Sequence, residues 1–355
     1  MKLIRYSYKL IDYPGMDNWI LNEIELQNFN LIVGKNATGK SRALIVVSAF
    51  ANMITQANPV YTGNWEFTFI NENQDEIYYN IINRFSKPIK ETIRINNNLL
   101  LERNDDIAKL FSKIKNDFDM ISPPDKKLVL HVRRDKKEYP FLEDIVEWAE
   151  KTHSFKFGQV HPNSFIGNNR DEKRHKTIED VPALIENLSD SSKTEVMDEI
   201  NSIGYAIENI YAEKESGEDI FYVKERKMKH AFRQNLLSQG MLRAISLIVF
   251  IHYLIDKNAA DTIIVDDICE GLDYERATKL GSLIFEKFQD SGVQFIVSSN
   301  DSFLMDVINI RCWNILVRED NHIKAYNYKN SKDKFDNFKY SGLSNFDLFS
   351  SDYLD

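Results

Sequence analysis

Over residues 1–33 the apolar positions alternate or gather in short runs, as strands require. Ile24, Leu26 and Phe29 lead into the unbroken run Leu31-Ile32-Val33, which ends at a glycine. That profile predicts a strand buried on both faces and feeding a tight turn. Residues 42–53, RALIVVSAFANM, are mostly apolar and predict a largely buried helix. Between 60 and 103, β-rich pieces such as Trp65-Glu66-Phe67-Thr68-Phe69 and Ile77-Tyr78-Tyr79 alternate with Asn- and Glu-rich turns. This predicts an antiparallel meander.

Residues 105–215 are more charged and mostly of helical period. Within them, 128–132 read as a strand, and 141–149 and 195–211 as helices. Residues 168–176, NNRDEKRHK, are polar throughout and predict a mobile loop. Residues 220–224 read as a short strand. From 237 onward, helices at 241–255 and 274–289 alternate with strands at 262–265 and 293–297. Such alternation predicts a parallel sheet with helices on its faces. Residues 312–328 predict a hairpin turning at Glu319-Asp320-Asn321, and there is no internal repeat. The expected organisation is an α/β core over 1–104 and 216–330. An inserted, mainly helical lobe follows at 105–215, and a C-terminal tail at 331–355.

The turn after the first buried strand reads Gly34-Lys35-Asn36-Ala37-Thr38-Gly39-Lys40-Ser41, matching G-x-x-x-x-G-K-[ST], with Arg42 next in the helix. Gly34 and Gly39 permit backbone angles that turn successive N–H groups toward phosphate oxygens. The helix start adds its positive dipole end. Lys40 is expected on the β- and γ-phosphates of ATP and the Ser41 hydroxyl on Mg²⁺. Residues 262–265 then run into the acids Asp266 and Asp267. Asp266 is expected in the magnesium shell, and Asp267 to orient or deprotonate the attacking water. Capping of the next helix is the plainer alternative for both. Leu237-Ser238-Gln239-Gly240-Met241-Leu242-Arg243 precedes a buried helix, 28 residues before Asp266 as counted from Ser238. Ser238 reads as its N-cap; with Gln239 and Gly240 it also offers an anion site.

These pieces, in this order and spacing, resemble the ABC-ATPase superfamily. LSQG resembles its signature motif, and Glu270-Gly271-Leu272-Asp273 resembles its D-loop. GKNATGKS and LSQGMLRAISLI are similar to the G-x-N-G-x-G-K-S and LSxGxxR forms of the soluble RecF/OLD-like branch. The resemblance covers about 35–55 and 235–305 well and the middle poorly. It implies an α/β P-loop NTPase fold, ATP and Mg²⁺ as ligands, and a homodimer with composite ATP sites. Asp266 would be the Walker B acid, and Asp267 stands where a glutamate is usual. Being one methylene shorter, Asp267 predicts slow hydrolysis or a differently placed water. Asn300 falls at the switch-histidine position and donates without carrying charge. Ala37 replaces a common glycine. No Q-loop glutamine is identified; Gln159 reads as an ordinary loop residue.

The net charge of −9 argues against indiscriminate nucleic-acid binding. Residues 224–233, KERKMKHAFR, form the strongest basic cluster and leave nucleic-acid contact open, with a solvated strand face as the plainer reading. Arg133 and Arg134, after His131, read as salt-bridged surface residues rather than a phosphate clamp. Tyr13 and Trp19 read as structural, with adenine stacking as the alternative. The two cysteines, Cys269 and Cys312, fit a reducing compartment. Residues 244–255 are too short for a membrane span and read as a buried helix. With no apolar leader at the start, a cytoplasmic location is expected and no membrane partner. The resemblance to OLD-like proteins, many of which carry a fused nuclease, leaves 55 residues beyond Asn300 here. An effector in a separate chain, in an anti-phage role, is therefore expected; a RecF-like DNA-repair ATPase is the alternative. The 197 residues between Ser41 and Ser238 count against a transporter subunit.

Overall fold

The computed structural model describes residues 1–56, 60–160, 181–257, 261–289, 291–339 and 344–350. The chain opens with β1 (Lys2–Leu10), β2 (Trp19–Glu25) and β3 (Phe29–Val33). All five residues of β3 are buried, as the apolar run Leu31-Ile32-Val33 predicts. The loop after Val33 leads into α1 (Lys40–Thr55). The meander follows as β4 (Gly63–Ile70), β5 (Glu76–Asn83), β6 (Lys90–Ile95), β7 (Asn98–Asn104), β8 (Ile107–Ser112) and β9 (Asp117–Ile121). Each strand pairs antiparallel with the next. Asn96 and Asn97, at φ 48° and 68°, make the two-residue turn between β6 and β7. Both central residues of such a turn need positive φ, which asparagine tolerates.

The meander runs past its expected end at 103. Ile107, Leu110, Phe111 and Ile114 stand at helical spacing, yet 107–112 form a strand. The Asp105-Asp106 turn, with Asp105 at φ 59°, returns the chain onto β7, and pairing overrides the local period. Ala108 and Leu110 are buried as a result, while Ile107 and Ile114 are left exposed. Then come α2 (Val129–Val132), α3 (Pro140–Glu150) and β10 (Thr152–Lys156). Residues 128–132 were expected to be a strand and instead make one helical turn. The His131 ring accepts the Leu128 N–H at 3.1 Å through Nδ1, and its Nε2 lies 2.9 Å from the Met53 carbonyl.

Next are α4 (Val181–Glu186), α5 (Asp190–Ser202), β11 (Ile207–Glu215), β12 (Glu218–Glu225) and β13 (Phe232–Arg233). The helix expected over 195–211 stops at Ser202. Gly204 takes φ 103°, closing the helix with a left-handed residue, and the chain leaves as a strand. The region 105–215 is therefore a mixture of strands and helices. The chain closes with α6 (Gln239–Asp256), β14 (Thr262–Asp266), α7 (Tyr274–Phe288), β15 (Gln294–Ser298) and α8 (Ser302–Val307). After them come β16 (Trp313–Glu319), β17 (His322–Asn327), α9 (Lys332–Lys339) and α10 (Asn345–Ser350). The hairpin β16–β17 turns as expected, with Glu319 opposite His322.

The chain forms two compact units. Met1–Thr152 and Arg311–Leu343 make up most of the first, and His153–Ile310 most of the second. In the first, the strand order is β3-β16-β17-β2-β1-β4-β5-β6-β7-β8-β9. β3 pairs parallel with β16, and β17 parallel with β2. α1 covers the sheet with Phe50 stacked on Phe67 at 3.7 Å, and Trp148 of α3 packs on Phe69 at 4.7 Å. In the second unit, β10 neighbours β14, and β14 pairs parallel with β15. β11, β12 and β13 form a separate antiparallel sheet. α6 is long and apolar enough to cross a membrane by length and composition alone, but 67% of that span is buried inside the protein. It is a core helix, as the sequence predicts.

One buried ion pair pins the meander of the first unit. Arg103 Nη1 lies 3.1 Å from Glu91 Oε1, with side chains 1% and 0% exposed. Tyr79 and the Val129 N–H also donate to Glu91, and Arg103 donates to the carbonyls of Lys127 and Pro124. Burial raises the Glu91 carboxyl above its ordinary range; Arg103 and these donors oppose that. Removing one partner strands the other charge in the core. Arg103→Ala is therefore expected to destabilise the fold by about 3–5 kcal/mol, read by urea unfolding. A loss under about 1 kcal/mol would mean that water reaches the Glu91 carboxylate.

Candidate functional site

Each unit carries its own part of the expected chemistry. In the first, β3 delivers the chain to Gly34, where an added Cβ would lie 2.5 Å from Thr38 Oγ1 and 2.9 Å from the Leu316 carbonyl. Only glycine fits this close approach. Thr38 closes the turn by donating its N–H and hydroxyl to the Lys35 carbonyl at 3.2 and 2.8 Å. Lys35, Asn36 and Ala37 form the exposed crest. Ala37 sits at φ 66° and Gly39 at φ 103°. Ala37 is thus held in a left-handed conformation that costs a non-glycine residue on the order of 1 kcal/mol. Arg318 donates to the Ala37 carbonyl at 3.2 Å, a support that nothing in the sequence pattern announces.

Lys40 is buried at the start of α1 and donates to the carbonyls of Gly34 at 2.7 Å and Lys35 at 3.4 Å. Its ammonium therefore lies inside the curl of the loop. α1 begins at Gly39 with no side-chain cap and no acid in its first turn. A 16-residue helix with such an N-terminus, next to a lysine and a serine, suits a phosphate. These residues fit a nucleotide polyphosphate. Trp19 is buried beneath Gly39, and the Arg42 guanidinium lies 4.1 Å over its ring. Burial, with a smaller contribution from Arg318 and against that of Tyr8, lowers the Arg42 pKa from its ordinary value. Trp19 is thus a floor for the loop, in keeping with its structural reading, and Tyr13 packs edge-on to Phe85 at 6.0 Å.

In the second unit, β14 ends at the buried Asp266. Ser298, at the end of β15, donates its hydroxyl to Asp266 Oδ1 at 2.6 Å and accepts the Asp267 N–H at 2.9 Å. One serine thus orients both expected acids. Asp267 takes φ 53°, a conformation that aspartate tolerates better than most residues. Asn300 is exposed just beyond β15, and Asp301 caps α8.

Ser238 caps α6, accepting the Met241 N–H at 3.3 Å, and stays exposed with Gln239. A Cβ on Gly240 would lie 3.0 Å from the Gly271 carbonyl, so the turn at Ser238–Gly240 is seated on the 270–273 loop. Arg243 ties three segments together. It donates to the Glu270 carbonyl at 3.0 Å, to Gln239 Oε1 at 3.2 Å, and to the Gly158 carbonyl. Gln159, exposed on the turn Phe157–Gln159, directly follows that contact. Among these supports only Arg243 left a signal in the sequence, as the last residue of the quoted LSxGxxR form.

Elsewhere, Arg134 pairs with Glu143 through two contacts of 3.0 and 2.6 Å, the salt-bridged role expected of it. Residues 226–230 of the basic cluster are exposed, whereas Lys224 pairs with Glu208 at 3.6 Å and Arg233 with Glu215 at 3.4 Å. The loop expected at 168–176 lies outside the described residues.

The fold is α/β, that of P-loop NTPases of the ABC-ATPase type, with an antiparallel β lobe. Solved SMC head domains share it over nearly their whole length. The SMC head domain from Thermotoga maritima matches at 14% identity and TM-score 0.50, covering 92% of this chain and 99% of that one. The SmcHead bound to the C-winged helix domain of ScpA matches at 13% and 0.55, covering 92% and 98%. The Smc head domain with an extended coiled coil, bound to the C-terminal domain of ScpA derived from Pyrococcus furiosus, matches at 12% and 0.51, covering 95% and 99%. No protein-family model matches the chain, and no curated protein is similar to it in sequence.

Proposed function

We propose that this chain is an ATP-binding and ATP-hydrolysing switch of the RecF/OLD-like kind. It pairs with a second copy around ATP and controls a separate effector protein, in a cytoplasmic anti-phage role. The observation that carries the ATP reading is the start of α1: an uncapped helix N-terminus with Lys40 seated inside its loop. Gly34, Lys35, Asn36, Ala37, Thr38, Gly39, Lys40, Ser41 and Arg42 form the proposed phosphate cradle. Ser41 and Asp266 are the proposed ligands of Mg²⁺, which when bound would neutralise charge developing on the phosphates. Asp267 orients the attacking water, and Asn300 donates a neutral hydrogen bond. Ser238, Gln239 and Gly240 serve the nucleotide held by the opposite chain. As a functional division, 1–104 and 216–330 make the nucleotide-handling core, 105–215 the insertion and 331–355 the tail. A separate partner has precedent in the two SMC heads bound to ScpA domains. The exposed stretch 226–230, with Arg226, Lys227, Lys229 and His230, favours the second reading, a DNA-repair ATPase that binds DNA directly.

Asp267→Asn tests the enzyme reading. Asparagine suits φ 53° at least as well, so the fold and the Ser298 contact to the backbone should survive. ATP binding should stay at the parent level while turnover falls about 100-fold or more. Light scattering should then report an ATP-stabilised pair. Turnover at the parent rate would move the water-positioning role elsewhere, with Glu270 the next candidate.

A further inference from the structure

Lys156 closes β10, and Asp266 closes its neighbour β14 in the second unit. The Lys156 Nζ lies 3.9 Å from Asp266 Oδ2. The other carboxylate oxygen is fixed by the Ser298 hydroxyl at 2.6 Å, so the orientation of Oδ2 is set. The Asp266 side chain is 8% exposed and the Lys156 side chain 48%. A carboxylate this deep is costly without a positive neighbour. Lysine provides a point charge on a flexible stem whose solvated side lets it swing away.

We propose that Lys156 is a placeholder cation: it neutralises Asp266 whenever no divalent metal is held there, and must withdraw when one reaches that carboxylate. The inference rests on the reading of Asp266 as a magnesium-shell acid. Two cations within about 4 Å of one another repel strongly in a partly buried site. Mg²⁺ also gives up its water reluctantly and takes few protein carboxylates, so competition at one of them is felt directly. Lys156 therefore sets how much Mg²⁺ the site needs, without itself holding nucleotide.

Lys156→Met keeps the apolar stem and removes the charge. ATP affinity of the full chain is measured by calorimetry in EDTA and across a Mg²⁺ titration. The Mg²⁺ concentration that half-restores tight ATP binding should fall about two- to fivefold in the variant, the range of a partly exposed ion pair. ATP affinity in EDTA should not change. Lys156→Arg, which keeps the charge, should return the parent Mg²⁺ dependence. In an Asp266→Asn background Lys156→Met should no longer shift it. An unmoved Mg²⁺ dependence in Lys156→Met overturns the inference. So does weaker ATP binding in EDTA, which makes Lys156 a nucleotide ligand instead. If the parent binds no ATP under either condition, the nucleotide reading itself fails and the inference with it. That outcome is distinct from a parent that binds ATP while Lys156→Met leaves Mg²⁺ dependence unmoved.

Discussion

Lys40→Ala is expected to abolish tight ATP binding while the chain stays folded. Lys40 is 7% exposed, and its ammonium is fixed by the Gly34 carbonyl at 2.7 Å. It is therefore already placed where a polyphosphate entering the loop would meet it. Losing one partner of a buried charge pair costs about 2–5 kcal/mol, equivalent to roughly 30- to 5,000-fold in affinity. The loop also loses a brace, since Lys40 links the carbonyls of Gly34 and Lys35. Helix α1 should persist, because Ala43, Leu44, Val47 and Phe50 bury its apolar face and alanine is a strong helix former. Calorimetry with ATP, paired with a thermal unfolding scan, separates the two effects. Parent-level affinity in a folded variant would refute the phosphate-loop reading.

The loop 34–41 is legible in the sequence because each position is constrained by local chemistry. Gly34 has no room for a Cβ, Gly39 needs φ 103°, and β3 must be apolar on both faces. Strands β14 and β15 are legible because both carry short apolar runs, are buried throughout and run into polar residues at their ends, Asp266 and Ser298. The region 105–215 is legible only in part: the helix expected at 141–149 is present as α3, Pro140–Glu150. The region's apolar residues at 107, 110, 111 and 114 keep helical spacing, and only pairing with β7 makes 107–112 a strand. Gly204, by contrast, is a readable stop signal for α5 inside the helix expected over 195–211. The supports of the site escaped for a different reason. Ser298 and Lys156 reach Asp266 from other strands, and Arg318 reaches Ala37 from 281 residues away. Sequence distance hides such contacts, and a lone serine, lysine or arginine on a strand carries no pattern of its own.

Ser238→Arg should leave ATP binding to each chain intact while blocking the closed pair. Ser238 is exposed at the start of α6, and a Cβ placed on Gly240, two residues on, would lie 3.0 Å from the Gly271 carbonyl. A long cation there would fill the proposed anion site and obstruct a second copy. The lost cap costs about 0.5–2 kcal/mol, which the buried length of α6 should tolerate. A two-fold pair uses the same surface on both chains, so one substitution damages both composite sites. The measurement that tests the shared-site account most directly mixes Ser238→Arg with Lys40→Ala chains. In a mixed pair one composite site carries both lesions and the other carries neither. With random pairing and independent sites, about a quarter of the parent ATPase activity should return, although neither variant is active alone. Full activity in pure Ser238→Arg, or loss of ATP binding by its monomer, would contradict the account.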